Sequence, residues 1–449
     1  MTYALELQDR ALALARDGTV LSIAPSAVAL QLGTRAGAWP RVRRDPTGIS
    51  TRHLGAVLGG SMEPEALGSM EAELRECLAA DAVNHGESLW CVTPAAADPA
   101  ALGAVLAVAR RAGGTVGGFI DGATLCAAAA GARHDALVVE FGLHHLGVTS
   151  VAAGQLARRR RSIISRGPGW IALLDAWLDL IRSMMVNRTR VDPLRDADAE
   201  QQLFDKLPAL AREAVERGTA VSQVIARGEI WEIEITRDQL ATAAQPVAGE
   251  LLRLIGQLRM PGAAFELIAP AALATLPGID TALNAASIAS GRQLLLDEGF
   301  AAAAASLRPV PESQPPDVVP FVRRAAAHTH DALQSMILRR EAAAADVRQR
   351  ATHVLYQGHA FALREGPLVV GGGAGEGNTI VLPSNSAGVS RRHCTFVSID
   401  AEVALIDHSR YGTFLNGERV VERTRVRPGD NVRIGETGFE LSLIAIQTG

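Results

Sequence analysis

Four prolines within eight residues, in Pro309-Val310-Pro311-Glu312-Ser313-Gln314-Pro315-Pro316, separate two stretches whose patterning cannot serve one common core. Proline fixes φ and carries no N–H, so such a run is extended and exposed. Before it, residues 1–305 alternate short apolar runs with Ala- and Leu-rich helical patterns, the signature of an α/β domain. Beyond it, from residue 351 to 449, short apolar runs are broken by Gly, Asn and Pro, as in an all-β sandwich. Between the two, residues 306–350 read as the linker and, over 321–350, an Ala-, Arg- and Glu-rich helix.

The 449 residues suffice for two or three domains, each with its own core. Hydrophobic residues make up 48% and charged residues 20%, the balance of a soluble globular protein. With 44 basic against 48 acidic residues, the net charge of -4 gives no electrostatic ground for expecting nucleic acid or a membrane surface as partner. Met1-Thr2-Tyr3-Ala4-Leu5-Glu6 lacks a basic and an apolar leader segment, and the expected location is the cytoplasm. Cys77, Cys91, Cys126 and Cys394 are scattered and read as small hydrophobes. Lys206 is the single lysine, and it stands far from any glycine-rich turn.

The first stretch opens with a hairpin: Tyr3 to Leu7, then Leu12 to Arg16, turning at Asp17-Gly18 into Thr19 to Ile23. Ser88 to Pro94 is a buried strand, a helix runs from Asp98 to Arg111, and Val116 to Ile120 is the next strand. An Ala-rich helix covers Ala123 to Ala130, and Ala136 to Phe141 pairs with Leu146 to Ala152. This order resembles the nucleotide-binding domain of the heat-shock chaperones, in the actin and sugar-kinase superfamily. The resemblance rests on Val92-Thr93-Pro94, on Phe119-Ile120-Asp121-Gly122-Ala123-Thr124 and on Glu232 through Leu240 opening a helix, with Pro193 to Pro208 as the family's helical insertion. It implies an actin-like, ribonuclease-H-like fold.

In that superfamily two glycine-bearing turns approach the nucleotide phosphates, with carboxylates organising hydrated magnesium. Here the first turn reads Glu6-Leu7-Gln8-Asp9-Arg10, and only Glu6 keeps the carboxylate. The second reads Glu140-Phe141-Gly142-Leu143-His144-His145, where Glu140 and Gly142 remain but Leu143 and His144 bring side chains to the place of the phosphate. A later adenosine-side turn, Glu266 to Pro270, has no glycine pair. With no lysine nearby to neutralise phosphate, the expectation is a pseudo-ATPase without catalytic residues and without a nucleotide cofactor. Glu6, Glu140 and Gly142 are the residues through which any residual nucleotide binding would run.

Other polar groupings point to surfaces. His134, His144 and His145 do not share a strand face and predict no metal site. Arg158-Arg159-Arg160-Arg161 reads as a charged strand edge, and Gly371 to Gly377 as a flexible connection lacking the phosphate-loop lysine.

The last hundred residues carry Leu368-Val369-Val370-Gly371-Gly372, Val389-Ser390-Arg391-Arg392-His393, Tyr411-Gly412-Thr413-Phe414-Leu415-Asn416-Gly417 and Gly429-Asp430 in that order. They resemble a forkhead-associated (FHA) domain, a β-sandwich that binds phosphothreonine peptides. The resemblance places Ser390, Arg391, Arg410, Tyr411, Gly412 and Thr413 at the ligand, and Gly371, His393, Asn416 and Gly417 in the supporting framework. Two family positions differ: Gly372 stands where an Arg grips the phosphate, and Tyr411 where an Asn grips the peptide. The expected function is a non-enzymatic scaffold that docks a protein partner, with a threonine-phosphorylated partner as one alternative and a weak ATP-binding protein as another.

Overall fold

The computed structural model describes the chain apart from residues 1, 35–37, 81–82, 84–86, 99–100, 227, 260–263, 291, 310–318, 328–329, 342–350, 358, 364–365, 374–377, 384–386, 400–401, 422, 436–437 and 445–449. The described chain forms two compact units. The first comprises Met1–Leu254, Glu266–Leu283 and Gln293–Arg339, and the second Ile255–Phe265, Asn284–Arg292 and Arg340–Gly449.

The first unit holds β1 (Tyr3–Leu7), β2 (Ala11–Arg16), β3 (Thr19–Pro25), the short ladder of β4 (Val28–Ala29) and β5 (Ile49–Ser50), β6 (Ser88–Thr93) and β7 (Thr115–Asp121). It continues with β8 (Asp135–Phe141), β9 (His145–Ala152), β10 (Leu156–Arg166), the hairpin of β11 (Thr219–Ala226) and β12 (Glu229–Thr236), β13 (Phe265–Pro270) and β14 (Arg292–Leu296). Last come β15 (Phe321–Val322), β16 (Arg324–Ala326) and β17 (Ile337–Glu341). Two sheets result, ordered β15-β7-β6-β1-β2-β3 and β16-β10-β9-β8-β13-β14-β17. Inside the added edge strands, both follow one scheme: three consecutive strands in a meander, then two further strands beside the first.

Side-chain size along the strands decides what each face packs against. Because strand neighbours point to opposite faces, Tyr3, Leu5 and Leu7 of β1 and Leu12 and Leu14 of β2 enter one core with the helices His53–Leu58, Pro64–Ala80 and Leu102–Arg111. Ala4, Ala13 and Ala15 turn to the other core, shared with Val138 and Val151 of the second sheet. The helices Gly122–Ala129 and Phe300–Ser306 fill that core, and their alanines let backbone approach backbone. Asp121 caps the first of these helices by accepting from the Thr124 N–H at 2.9 Å.

The residues expected to form one helix over 321–350 form, where they are described, three strands and a short 3-10 helix over Asp331–Met336: β15 and β16 join the open edges of the two sheets and β17 flanks β14. Helix propensity is outweighed there by unpaired strand edges that need partners. The α/β unit therefore runs past residue 305, and the proline-rich segment and residues 342–350 lie largely outside the described residues. The arginine run lies on β10, where β16 pairs with Leu156 to Arg158 and stops short of Arg159 to Arg161; Arg159 pairs with Asp121 and Arg160 with Asp135 at 2.5 Å. Among the described residues, no helix is long and apolar enough to cross a membrane. Cys77, Cys91 and Cys394 are buried, while Cys126 is half-buried.

The second unit contains β18 (His353–Tyr356), β19 (His359–Ala362), β20 (Leu368–Gly371), β21 (Thr379–Val381), β22 (Cys394–Ile399), β23 (Glu402–Asp407), β24 (Thr413–Leu415), β25 (Glu418–Arg419), β26 (Arg423–Val426), β27 (Asn431–Ile434) and β28 (Phe439–Ile444). They form a β-sandwich of two sheets, β19-β18-β28-β27-β24-β25 and β21-β20-β22-β23-β26. Val370, Phe396, Leu405, Val432 and Leu441 interdigitate between them.

Candidate functional site

At one end of the sandwich, the segments before β22 and between β23 and β24 are locked together by a buried histidine. The His393 Nδ1 accepts from the Ser390 N–H at 3.1 Å, and its Nε2 donates to the Gly412 carbonyl at 3.3 Å. One nitrogen accepts and the other donates, so the ring is neutral, and burial pushes its pKa below the ordinary value. The Gly372 and Gly373 N–H groups donate to the carbonyls of Ser390 and Arg391 at 3.0 and 3.1 Å. Gly371 is required by space, since a Cβ there would stand 2.2 Å from the Arg391 oxygen.

Asp407 organises the other segment. It accepts from the Ser409 N–H at 2.9 Å, from the Thr413 hydroxyl at 2.8 Å and from the Thr413 N–H at 3.2 Å. Burial would raise its pKa, but these donors outweigh it and hold the carboxyl below its ordinary range. The Ser409 hydroxyl then accepts from the Gly412 N–H at 2.7 Å. Thr413 is fully buried, and with its hydroxyl committed to Asp407 it braces the segment from within. Gly412 is buried too, with both backbone groups occupied, so it is a second brace. Asn416 (φ 51) and Gly417 (φ 90) make the tight turn from β24 to β25, where Asn416 bonds Asn431 and Asp430.

What stays open to solvent is a hydroxyl and several cations. The Ser390 backbone is fixed, yet its Oγ has no hydrogen bond among the described residues. Arg391 and Arg410 are exposed, neither is ion-paired among the described residues, and Tyr411 between the braces is 57% exposed. Sequence reasoning gave Asp407, Ser409 and Arg419 no role. The first two carry a legible signal, a short acceptor three or five residues before a buried Gly-Thr.

In the first unit, β1, β8 and the start of the helix Phe300–Ser306 border a cavity of about 80 Å³, lined by Glu6, Gln8, Cys126, Glu140, Glu298 and Phe300 among others. Glu6 accepts from the Gln8 amide and from the Ala302 N–H at 3.3 Å, and burial pushes its pKa up to about 7. Glu140 accepts from the Ala95 N–H at 2.5 Å, its second oxygen has no hydrogen bond among the described residues but faces His145 Nε2 at 4.0 Å, and burial raises its pKa as well. Gly142 belongs to a different contact. Asp9, between β1 and β2, reaches the turn between β8 and β9 and accepts from the Leu143 N–H at 2.8 Å, the His144 N–H at 3.3 Å and His145 Nδ1 at 3.1 Å.

A Cβ on Gly142 would stand 2.4 Å from the Asp9 carboxylate and 2.3 Å from the His145 ring. Of the two side chains expected at the place of a phosphate, Leu143 is buried and His144 turns to Thr51 at 3.1 Å, and the Asp9 carboxylate accepts from both their N–H groups. Asp9, which the sequence left without a role, is depressed in pKa because these donors outweigh its burial. His145 is raised, its bond to Asp9 outweighing burial. His134 is exposed and apart from both, and no cluster of His, Cys, Asp and Glu among the described residues is arranged to hold a metal.

Comparison with curated proteins gave no match for this chain. Residues 369–435, which contain both braced segments and the Asn416-Gly417 turn, match the FHA domain family model.

Proposed function

We propose that the chain is a non-enzymatic adaptor whose FHA sandwich docks a threonine-phosphorylated protein partner and whose α/β unit serves as a scaffold. The observation that carries this reading is the Ser390 hydroxyl: its backbone is pinned on both sides, its Oγ is uncommitted among the described residues, and the exposed Arg391 and Arg392 follow it in the chain. A doubly charged phosphate is held by such hydroxyl, guanidinium and backbone donors. For the α/β unit, the twice-used strand order supports an actin and sugar-kinase type of fold. A cavity of about 80 Å³ beside two carboxylates with raised pKa, and an internal carboxylate on the Gly142 turn, support a unit that does not turn over nucleotide. Drug-sized ligand sites measure roughly 300–1,000 Å³.

The test is selection of the full chain against a degenerate phosphothreonine peptide library and its unphosphorylated counterpart. Phosphate-dependent enrichment that Ser390→Ala abolishes is the expected result. Equal capture of both libraries would replace this reading with phosphate-independent docking, to which the missing side chain at Gly372 points.

A further inference from the structure

Arg419, the second residue of β25, is exposed, and its side chain lies directly on Gly412. A Cβ built on Gly412 would stand 2.7 Å from its Nε, 3.3 Å from Cζ and 3.4 Å from Cδ. Gly412 is also in the left-handed region at φ 93, so side chains are excluded there by conformation and by space alike. The Gly412 carbonyl accepts from His393 Nε2, and Nδ1 of the same ring accepts from the Ser390 N–H. The Arg419 guanidinium thus lies on the Gly412 segment, which His393 ties to the backbone of Ser390.

No carboxylate pairs with Arg419 among the described residues, and Asp407, the acid of the neighbouring segment, is committed to Ser409 and Thr413. An exposed guanidinium with no ion-pair partner among the described residues, lying on the segment that His393 ties to Ser390, is suited to phosphate, which arginine binds with two parallel N–H donors. Gly372, on the other flank, offers no side chain to that anion.

We propose that Arg419 supplies the guanidinium contact to the phosphate of a phosphothreonine peptide at Ser390, from the β25 side of the site. This rests on the phosphopeptide reading above. Calorimetry on the full chain, with the strongest phosphothreonine peptide from the library and its unphosphorylated form, tests it in wild type, Ser390→Ala, Arg419→Ala and Arg419→Lys. Arg419→Ala is expected to weaken the phosphorylated peptide by about tenfold or more and the unphosphorylated form by less than about twofold, as loss of a charge-assisted bidentate contact requires. Arg419→Lys falls between, because a point charge replaces the fork. An unchanged melting temperature, expected for an exposed side chain, separates lost contact from lost fold. Binding by Arg419→Ala within about twofold of wild type, with Ser390→Ala still defective, overturns the role of Arg419 and leaves the phosphopeptide reading intact. A wild type that does not prefer the phosphorylated form overturns both.

Discussion

Glu6 shows how one residue's chemistry follows from strand parity. It shares a face with Ala4, the face turned to the inter-sheet core, and there it is buried beside the cavity. With its pKa up to about 7 from 4.5, the folded chain holds a proton that the unfolded chain releases between those values. The folded state therefore loses stability as pH rises from about 4.5 to 7, by up to about 3 kcal/mol at 1.36 kcal/mol per unit. Glu6→Gln is expected to raise stability at pH 8 and change little at pH 4.5, read as the difference in urea midpoints; equal shifts at both values would contradict a protonated Glu6. The carboxylate was legible in the sequence, but its protonation comes from burial in a core assembled from distant segments, against which the Ala302 N–H bond pulls the pKa back down.

At the scale of elements, the strands were the readable part. Alternating apolar residues and Asp17-Gly18 give β1 to β3 within a residue or two, and the glycine-bounded runs give β6 to β9. The region after residue 320 was misread because its Ala- and Arg-rich composition is local, whereas the unpaired edges it completes are assembled from strands two hundred residues earlier. Contacts between turns were equally hidden: Asp9 and Leu143 are 134 positions apart. That contact joins the β1–β2 turn of one sheet to the β8–β9 turn of the other, and it is buried. Asp9→Asn places an amide against two backbone N–H groups and His145, and should destabilise the chain by roughly 2–4 kcal/mol in urea unfolding near pH 6. Because His145 has a raised folded pKa, its share is present below its unfolded value of 6.5 and is lost as pH climbs through the folded value. The penalty of the substitution should accordingly shrink toward pH 9, and a penalty independent of pH would argue against a charged His145.

For the whole molecule, the two halves were unequally legible. The sandwich is announced by turn chemistry at fixed offsets, Gly371, His393 and Asn416-Gly417, because each residue answers a local demand of space or φ. The α/β unit is specified by size patterning spread over some three hundred residues, and its ligand state cannot be read from any one turn. If that unit is a scaffold, magnesium-ATP at millimolar concentration should leave the melting temperature of the full chain unchanged within about 1 °C, since a ligand at a hundred times its Kd adds about 2.7 kcal/mol. A low-micromolar Kd in calorimetry would restore nucleotide binding through Glu6 and Glu140. Asp9 bears on this in a further way. Its carboxylate is tethered to the same chain as the N–H groups that hold it, so its effective concentration there is fixed by the fold and not by the cell. A diffusible anion reaching that turn would have to displace a resident that cannot be diluted away.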